Sequence, residues 1–434
     1  MPIRTAAHNS NTRFGHGRAA FAFIFVTVLL DMLAFGMVIP VLPRLVVDFV
    51  GGDTARGAAV YGLFGTIFAL MQFVFAPVQG ALSDRFGRRP VILASNFGLG
   101  IDYLVMANAP SLRWLFVGRV ISGITSASFS TAGAYIADVV PPEKRAARFG
   151  MLGMAFGIGF VLGPAVGGML GSLQPRFPFW AAGALSLVNA MYGLFVLPES
   201  LPAERRGRFE IKRANPLGAL ALLRSNPKLF GLATANFLNY VAHDVQPSVF
   251  VLYASYRYGW DERTVGLVLA LVGISSAVVG GALVHPIVRR FGERRALLAG
   301  LFAGALGFAY YGLAPNGTAF ASGIPVVAVW GIAFPAAQGL MTRYVDASEQ
   351  GRLQGAITSL RGIAGLIAPG LFTQTFALAI GRFHDYGAPG APYLLAGAMI
   401  AAAMALAWRV TRDESQPLQG WSDESNTPRA RAES

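Results

Sequence analysis

Twelve long apolar runs, each close to the length that crosses a lipid bilayer, dominate this chain of 434 residues. A helix rises about 1.5 Å per residue, so roughly 20 apolar residues cross the hydrocarbon core. Because lipid offers no partner to exposed backbone groups, these runs must fold as helices. The sequence therefore predicts an all-α membrane protein with twelve transmembrane helices. The predicted spans are 20–42, 58–80, 91–109, 112–137, 147–171, 177–197, 229–254, 264–288, 296–314, 319–341, 353–379 and 391–410.

Composition supports the same class of protein. Hydrophobic residues make up 54% of the chain and charged residues 13%, with a mean hydropathy of +0.52. A soluble protein carries nearly twice that charged fraction. The chain has no cysteine, which excludes thiol catalysis, thiolate metal sites and disulfides.

The distribution of charge predicts the orientation in the membrane. The net charge is +13, and most of the 35 Lys and Arg residues lie in alternate loops and at the two ends of the chain. Basic loops stay on the cytoplasmic side, so both termini are expected in the cytoplasm of a multi-pass protein of the bacterial inner membrane. This pattern explains the positive charge without a nucleic-acid partner. The first apolar run has no cleavage site after it and is expected to be retained as a span.

The two halves of the chain repeat each other. A lag of 205 residues relates Gly87 to Gly292, Gly150 to Gly355 and Pro164 to Pro369. A recurring lag of this kind indicates two parallel six-helix halves with a transport site between them. We predict a cytoplasmic tail at 1–19, a first bundle at 20–197, a basic linker at 198–228, a second bundle at 229–410 and a disordered cytoplasmic tail at 411–434.

A short charged loop, Gly80–Pro90, separates the second and third predicted spans. Its pattern G-x-L-x-D-R-x-G-R-R resembles the loop between helices 2 and 3 of major facilitator superfamily transporters, whose fold has two pseudo-symmetric six-helix halves. The alternative is an ordinary basic loop of any membrane protein. The resemblance implies a gating role for Gly80, Asp84, Arg85, Gly87 and Arg88.

Asp84 is the asymmetric member of this loop, because the lag of 205 residues places Arg289 at its position in the second half. A carboxylate stabilises a helix N-terminus. We expect Asp84 to cap a helix of the opposite half, at the start of the eleventh span after Arg352. The loop would then act as a cytoplasmic latch that favours the outward-open state.

In the first half, three charged residues lie deep inside predicted spans. Charge is costly there, so each of them is a candidate functional residue. Asp31 and Asp102 are near the middle of the first and third spans, and Arg119 is in the fourth. An arginine favours the charged form of a nearby acid, so a change of partner would act as a protonation switch. We expect these residues to couple proton movement to transport. A fixed ion pair with Arg119 is the alternative.

The fifth span carries small residues at helical spacing. Gly159, Gly163 and Gly167 fall on one face, and Pro164 permits a bend. Small-residue packing alone is common in membranes, which is the alternative reading. The run G-x-x-x-G-P-x-x-G-G resembles the motif of the antiporter branch of the superfamily, where it implies a role in sealing the cavity against leakage.

The agreement extends to the tetracycline/H⁺ antiporters of that branch. The matching segments are Met71–Phe73, Ser83–Pro90, Ile101–Tyr103, Gly118–Arg119, Gly123–Thr125, Ala134–Asp138, Gly292–Leu297 and Gln350–Gly355. The resemblance implies proton-driven export of tetracycline as a metal chelate, with no resident cofactor and a divalent metal carried with the substrate. It assigns Gln72, together with Asp31, Asp102 and Arg119, to the pathway of substrate and protons. Tyr103 is a further substrate-binding candidate. Gln72 could equally satisfy a neighbouring backbone group.

The second half departs from those antiporters. They carry an aspartate early in the ninth span, where this chain has Gly304, and a glutamine in the seventh span, where it has Asp244. Arg361 is an extra charge in the eleventh span and could pair with Asp244. The substrate-binding candidates on this side are His243, Asp244, Gln246 and Gln338.

No phosphate-binding G-x-x-x-x-G-K-[ST] motif occurs, and the five histidines have no metal-binding spacing. We therefore expect a transporter, not an enzyme, that uses a proton gradient without ATP and works as a monomer with a small molecule. The first alternative is a proton-coupled symporter or exporter of a small metabolite. The second is a membrane sensor or scaffold that transports nothing.

Overall fold

The computed structural model describes residues 8–126, 128–207 and 218–412. The first half contains α1 His8–Val38, α2 Leu42–Phe49, α3 Thr54–Phe86, α4 Arg88–Ala107, α5 Leu112–Thr125, α6 Ser128–Val139, α7 Pro142–Leu173 and α8 Phe177–Val196. The second contains α9 Pro227–His243, α10 Val245–Tyr258, α11 Glu262–Val278, α12 Val284–Leu313, α13 Gly317–Ser322, α14 Ile324–Trp330, α15 Ala333–Thr342, α16 Gln350–Ile380 and α17 Ala391–Val410.

These helices form the twelve predicted spans. Nine helical stretches among the described residues are long and apolar enough to cross a membrane, and one of them, Glu262–Leu313, holds both the eighth and the ninth span. Gly292, with φ of 80° and ψ of 160°, separates those two spans. The fourth span is divided into α5 and α6, and the seventh into α9 and α10.

Prolines explain two of the breaks within spans. Pro247 has no N–H to donate to the carbonyl of His243, and α9 gives way to α10 at Asp244. In the tenth span, Pro335 likewise cannot donate to the carbonyl of Gly331, and α14 ends just before that residue. A transmembrane helix tolerates such breaks where the freed backbone groups find other partners.

Two stretches outside the predicted spans are helical. Residues 8–19, assigned to a tail, are the first turns of α1, and the predicted loop 43–57 contains the helix α2. The described parts of the linker carry the short helical turns Ala203–Arg205 and Gly218–Arg224. The remainder of the linker, 208–217, and the predicted disordered stretch 413–434 lie outside the described residues.

Within the first half, α1 and α7 approach so closely that only glycine fits between them. A Cβ on Gly163 would lie 2.7 Å from the Cα of Gly36, and one on Gly159 would lie 2.7 Å from the Cβ of Met32. A Cβ on Gly167 would overlap the backbone of Met37. The three glycines of the fifth span therefore face the first span, and bulk at these positions would force the helices apart.

The two halves meet along α3 with α16 and along α7 with α11, at the end of the bundle opposite the termini, here called the far end. A Cβ on Gly65 would lie 2.8 Å from Pro369, and one on Gly273 would lie 2.5 Å from Val161. Arg44 Nη1 and Glu262 Oε2 join the halves in an ion pair of 3.0 Å. The far end is therefore closed.

At the other end, which carries the termini and is called the termini end, the same helices separate. Among the described residues, no heavy atom would lie within 4 Å of a Cβ added to Gly80 on α3 or to Gly150 on α7. The same holds for Gly280 beside α11 and Gly351 on α16. The space between the halves therefore opens toward the termini end.

The repeat extends to paired charges with reversed polarity. Arg88 after α3 forms an ion pair with Asp138 at the end of α6, with Nε and Oδ2 3.1 Å apart. The residues 205 positions later, Glu293 and Arg343, form the corresponding pair, with Oε2 and Nη2 2.6 Å apart. Each pair fastens a loop to the end of a span in its own half.

Candidate functional site

A cavity of about 230 Å³ lies between the two halves, on the side of the closed far end. Most of its wall is apolar or aromatic, with few polar groups, which is typical of a small-molecule site. From the first half it is lined by Phe35, Leu42, Tyr61, Phe64, Gly65, Phe68, Ala69, Gln72 and Arg119, and from the second by Asp244, Pro247, Ser248, Gly365 and Pro369. Three of the predicted site residues, Gln72, Arg119 and Asp244, are among them.

A chain of hydrogen bonds leads from the cavity into the first half. Arg119 Nη2 donates to Ser122 Oγ at 3.0 Å, and Ser122 Oγ in turn donates to Asp102 Oδ2. Asp102 is fully buried and Arg119 is 7% exposed. The guanidinium and the carboxylate are thus linked through a hydroxyl. Ser122 lies one helical turn after Arg119, and this spacing was the only signal in the sequence that could have found it.

Glycine makes room for the carboxylate of Asp102. A Cβ on Gly118 would lie 2.9 Å from Asp102 Oδ1 and 2.5 Å from the side chain of Met106. Oδ1 has no hydrogen-bond partner among the described residues. Arg119 Nη2 also contacts Met106 Sδ at 3.2 Å, so the arginine is held from two sides.

Asp31 occupies a separate buried position between α1 and α8. Its Oδ1 accepts a hydrogen bond of 3.0 Å from Asn189 Nδ2, and the same amide donates to the carbonyl of Thr27 at 3.2 Å. Asp31 is 4% exposed and does not line the cavity. Asn189 was not found from the sequence, because a single asparagine in an apolar span gives no sign of its partner.

Two further candidates in the first half differ in their placement. Gln72 lines the cavity and donates through Nε2 to Ser126 Oγ at 3.2 Å. Tyr103 is 2% exposed and packs in the core with Leu99 and Met106. Tyr103 does not line the cavity in this conformation, because its ring lies in the packing of the first half, and its contact with substrate stays a prediction.

In the second half, Asp244 lies at the break between α9 and α10 and lines the cavity. Its Oδ1 is 3.1 Å from Nδ1 of His243. The pair of Asp244 with Arg361 that the sequence left open is not formed. The guanidinium of Arg361 instead lies 6.0 Å from the centre of the Tyr240 ring.

His243 belongs to an aromatic cluster that supports this wall. Its ring centre is 5.7 Å from that of Trp330 and 5.6 Å from that of Phe334. Trp330 Nε1 donates to Asn239 Oδ1 at 2.7 Å, which fixes the indole. A Cβ on Gly304 would lie 2.5 Å from Trp330, so the indole fills the space where the resembled antiporters carry an acid.

The last two substrate candidates do not line the cavity. Gln246 Oε1 accepts a hydrogen bond of 3.4 Å from the hydroxyl of Tyr393. Gln338 Nε2 donates to Gln354 Oε1 at 2.9 Å, between α15 and α16. In this conformation both amides are engaged in contacts within the second half.

The loop between α3 and α4 is fastened within the first half. Asp84 Oδ1 pairs with Arg88 Nη1 at 2.5 Å, and Glu199 Oε1 accepts from the backbone N–H of Arg88 at 2.8 Å and so caps α4. Gly87 has φ of 105°, which favours glycine, and an added Cβ would collide with Glu199. Arg85 extends over the ring of Phe86 at 5.1 Å.

Asp84 does not cap the start of α16 here. Its side chain is 58% exposed and its ion-pair partner lies in its own half. The halves are apart at the termini end in this conformation, so the latch stays a prediction for the state in which that end is closed. The sequence gives no sign of this capping role for Glu199, which lies at the start of the predicted linker.

Comparison with known proteins identifies the family. The model of the Major Facilitator Superfamily matches residues 24–369. The chain belongs to the Major Facilitator Superfamily. It is 39% identical over 365 residues to "Tetracycline resistance protein, class C" of Escherichia coli, covering 84% of this chain and 91% of that protein.

A second relative and a solved structure extend this result. The chain is 35% identical to "Tetracycline resistance protein, class G" of Vibrio anguillarum, over 85% of this chain and 93% of that one. A bacterial homologue of the human lysosomal transporter Spinster, solved in an inward-facing and occupied conformation, has a TM-score of 0.70 at 16% identity, covering 90% of this chain and 96% of that one. This superfamily fold confirms the prediction of twelve spans in two six-helix halves.

Proposed function

We propose that this protein exports an amphipathic drug of the tetracycline class from the bacterial cytoplasm in exchange for protons. The observation that carries the proposal is the buried chain from Asp102 through Ser122 to Arg119, which ends at the cavity between the halves. The relatives named as tetracycline resistance proteins support the choice of substrate. The protein acts as a transporter and makes no chemical change in its substrate.

The open termini end supports the direction of transport. The basic loops at that end assign it to the cytoplasm by the positive-inside rule. The conformation with that end open would take up drug from the cytoplasm, and rocking of the two halves would then expose the cavity at the far end. The glycine contacts between α7 and α1 would act as a fixed unit within the moving first half.

Protonation of Asp102 would change the polar chain. A carboxylate accepts the hydrogen bond of Ser122, whereas a neutral acid can donate one. Proton binding at Asp102 would therefore weaken the hold of Ser122 and Asp102 on the Arg119 guanidinium and free it for another partner. Proton release toward the cytoplasm would restore the hydrogen bonds that link Asp102, Ser122 and Arg119 in this structure. This exchange couples the charge of Asp102 to the position of a residue that lines the cavity.

The proton gradient supplies the energy in this proposal, with no resident cofactor and no part for ATP or nucleic acid. A divalent metal would enter only as cargo, chelated by the drug. Among the described residues, no group of three His, Asp or Glu side chains is placed to hold a metal ion. The protein would work as a monomer, because the cavity is formed by the two halves of one chain.

Drug uptake into inverted membrane vesicles tests the proposal. We expect uptake of tetracycline that depends on an acidic interior and collapses with a protonophore. Asp102→Asn should abolish this uptake while the protein still reaches the membrane. Asp48→Asn, which changes an exposed carboxylate on α2, serves as the control. Proton movement in the same direction as substrate would instead support the metabolite symporter.

A further inference from the structure

The cavity presents opposite charges from opposite halves. Arg119 lines it from the first half and Asp244 from the second, with an otherwise largely apolar wall between them. A charged group beside an apolar cavity in a membrane protein is costly unless a partner compensates it. The arginine is held within its own half by Ser122 and Met106. One oxygen of Asp244 has a partner in His243, so it is the other oxygen that needs a separate explanation.

Three structural explanations for Asp244 fail. It stands at the start of α10, where an aspartate commonly caps the helix, yet its side chain accepts no hydrogen bond from that helix. Arg361, the basic partner that the sequence suggested, lies over Tyr240 instead. Burial as a core residue is also excluded, because the side chain is 28% exposed.

The two oxygens of Asp244 have different surroundings. Oδ1 is engaged by His243, whose ring is held against Trp330 and Phe334. Oδ2 points toward α16, where a Cβ on Gly365 would still lie 3.7 Å away. Within the described part of the chain, no hydrogen bond reaches Oδ2. One oxygen thus orients the carboxylate and the other faces a cavity-lining glycine.

The opposite wall suits a flat, electron-rich or cationic molecule. Phe35 and Phe68 lie with ring centres 6.3 Å apart, and Arg119 lies 5.6 Å from the centre of the Phe68 ring. Tyr61 and Phe64 complete an aromatic lining on this side. Aromatic faces bind ring systems by stacking and attract cations.

We propose that Asp244, oriented by His243, binds a protonated amine of the substrate while Arg119 faces an anionic oxygen of the same molecule. This rests on the proposed function and narrows its substrate class to aromatic zwitterions and amine-bearing cations. The amine supplies the missing donor for Oδ2, and the ring system fills the aromatic wall. The aspartate is thus a specificity-determining residue contributed by the second half.

The test is equilibrium binding of two matched compounds to the purified protein in lipid nanodiscs. The probes are tetracycline and its analogue in which hydrogen replaces the 4-dimethylamino group. The wild-type protein is expected to bind tetracycline about 10-fold more tightly, the size of one hydrogen bond to a charged group. Asp244→Asn should remove this preference by weakening tetracycline binding alone, and Asp244→Glu should retain part of it.

A matched control exists in the same half. Asp385 follows His384 in the loop before α17, with a fully exposed side chain, so Asp385→Asn removes the same charge from the same type of pair. It should keep the wild-type preference. Equal affinity of the wild type for both probes, including no binding of either, would overturn the proposal, as would a preference that survives Asp244→Asn.

The two proposals can fail separately. Amine preference is read from equilibrium binding without a proton gradient, whereas proton-driven export is read from uptake into vesicles. Asp102→Asn is expected to lose export and to keep the amine preference in binding. Export that is intact in a protein without amine preference would remove the role of Asp244 and leave the transport function standing.

Discussion

Gly304 and Trp330 form a single packing unit at the inner surface of the second half. The indole is fixed by its hydrogen bond to Asn239 and lies where a side chain on residue 304 would project. Interiors are packed to the density of organic crystals, so two groups cannot share that space. The acid that the resemblance to tetracycline/H⁺ antiporters would place there is excluded by a neighbouring aromatic side chain.

Restoring that acid should therefore damage the fold before it affects transport. We expect Gly304→Asp to destabilise the protein by about 1–3 kcal/mol, the usual cost of overpacking. Gly304→Ala should have a smaller effect of the same sign. Thermal unfolding of the purified protein measures both. The control is Gly280→Ala, where no atom of the described residues lies within 4 Å of the added Cβ. An unchanged Tm for both Gly304 variants would contradict the packing argument.

The hydroxyl of Ser122 is predicted to matter for coupling. Ser122→Ala removes the link between Arg119 and Asp102 without changing either charge. We expect proton-driven uptake in vesicles to fall roughly 10-fold, in line with the loss of one hydrogen bond to a charged group. Thr125→Val, three residues later, removes a hydroxyl whose hydrogen bonds within the described residues go to the backbone of its own helix, and it should have little effect. Equal losses in both variants would refute the link.

Residues of the site differed in how well the sequence revealed them. Asp31, Asp102 and Arg119 could be singled out as candidates because a charge inside a span is rare and expensive. Ser122, Asn189 and the role of Trp330 could not, because neutral polar and aromatic residues are common in spans. Their importance depends on which side of a helix faces which neighbour.

At the scale of helices, the contact between α1 and α7 depends on the absence of side chains. Gly163→Val would place a branched side chain against the backbone at Gly36. We expect loss of folded protein in the membrane, or a Tm lowered by several degrees in detergent. Gly157 lies six residues earlier on α7, and a Cβ added to it would meet no heavy atom of the described residues within 4 Å. Gly157→Val should therefore leave the amount of folded protein unchanged.

The helices themselves were largely predictable, and their interruptions were not. A hydropathy profile averages over about 20 residues. It therefore located twelve spans but could not show that the helix of the seventh span is interrupted at Asp244. That break follows from a single missing N–H at Pro247, which leaves the carbonyl of His243 without its usual helical donor. The break matters, because it brings Asp244 to the cavity wall.

For the whole molecule, the closed far end is predicted to depend partly on the pair of Arg44 and Glu262. Arg44 is 45% exposed, so the pair is worth up to about 1 kcal/mol, or about fivefold in the balance between open and closed far ends. Glu262→Gln should shift that balance toward the open state. The chain has no cysteine, so Leu42→Cys provides a single thiol at the far-end side of the cavity.

Labelling of that thiol by a membrane-impermeant maleimide from the far side measures the shift. We expect up to fivefold faster labelling in Glu262→Gln. The exchange of charges in Arg44→Glu with Glu262→Arg should restore the slow rate. Fast labelling that persists in the exchanged pair would show that the charge interaction is not what holds the far end closed.

The two-half architecture was readable from the lag of 205 residues, but the open end was not. The conformations of a transporter differ by only a few kcal/mol, spread over many contacts between its halves. No local pattern in the sequence records that difference. The glycine contacts of α3 with α16 and of α7 with α11 required the structure.

The reversed polarity of the two loop pairs also bears on synthesis, when the first six spans emerge from the ribosome before the rest. If the later loop docked on the earlier half, Glu293 would meet Asp138, and if the earlier loop docked on the later half, Arg88 would meet Arg343. Both exchanges bring like charges together. A nascent chain built from two similar halves is thereby steered away from swapping segments between them.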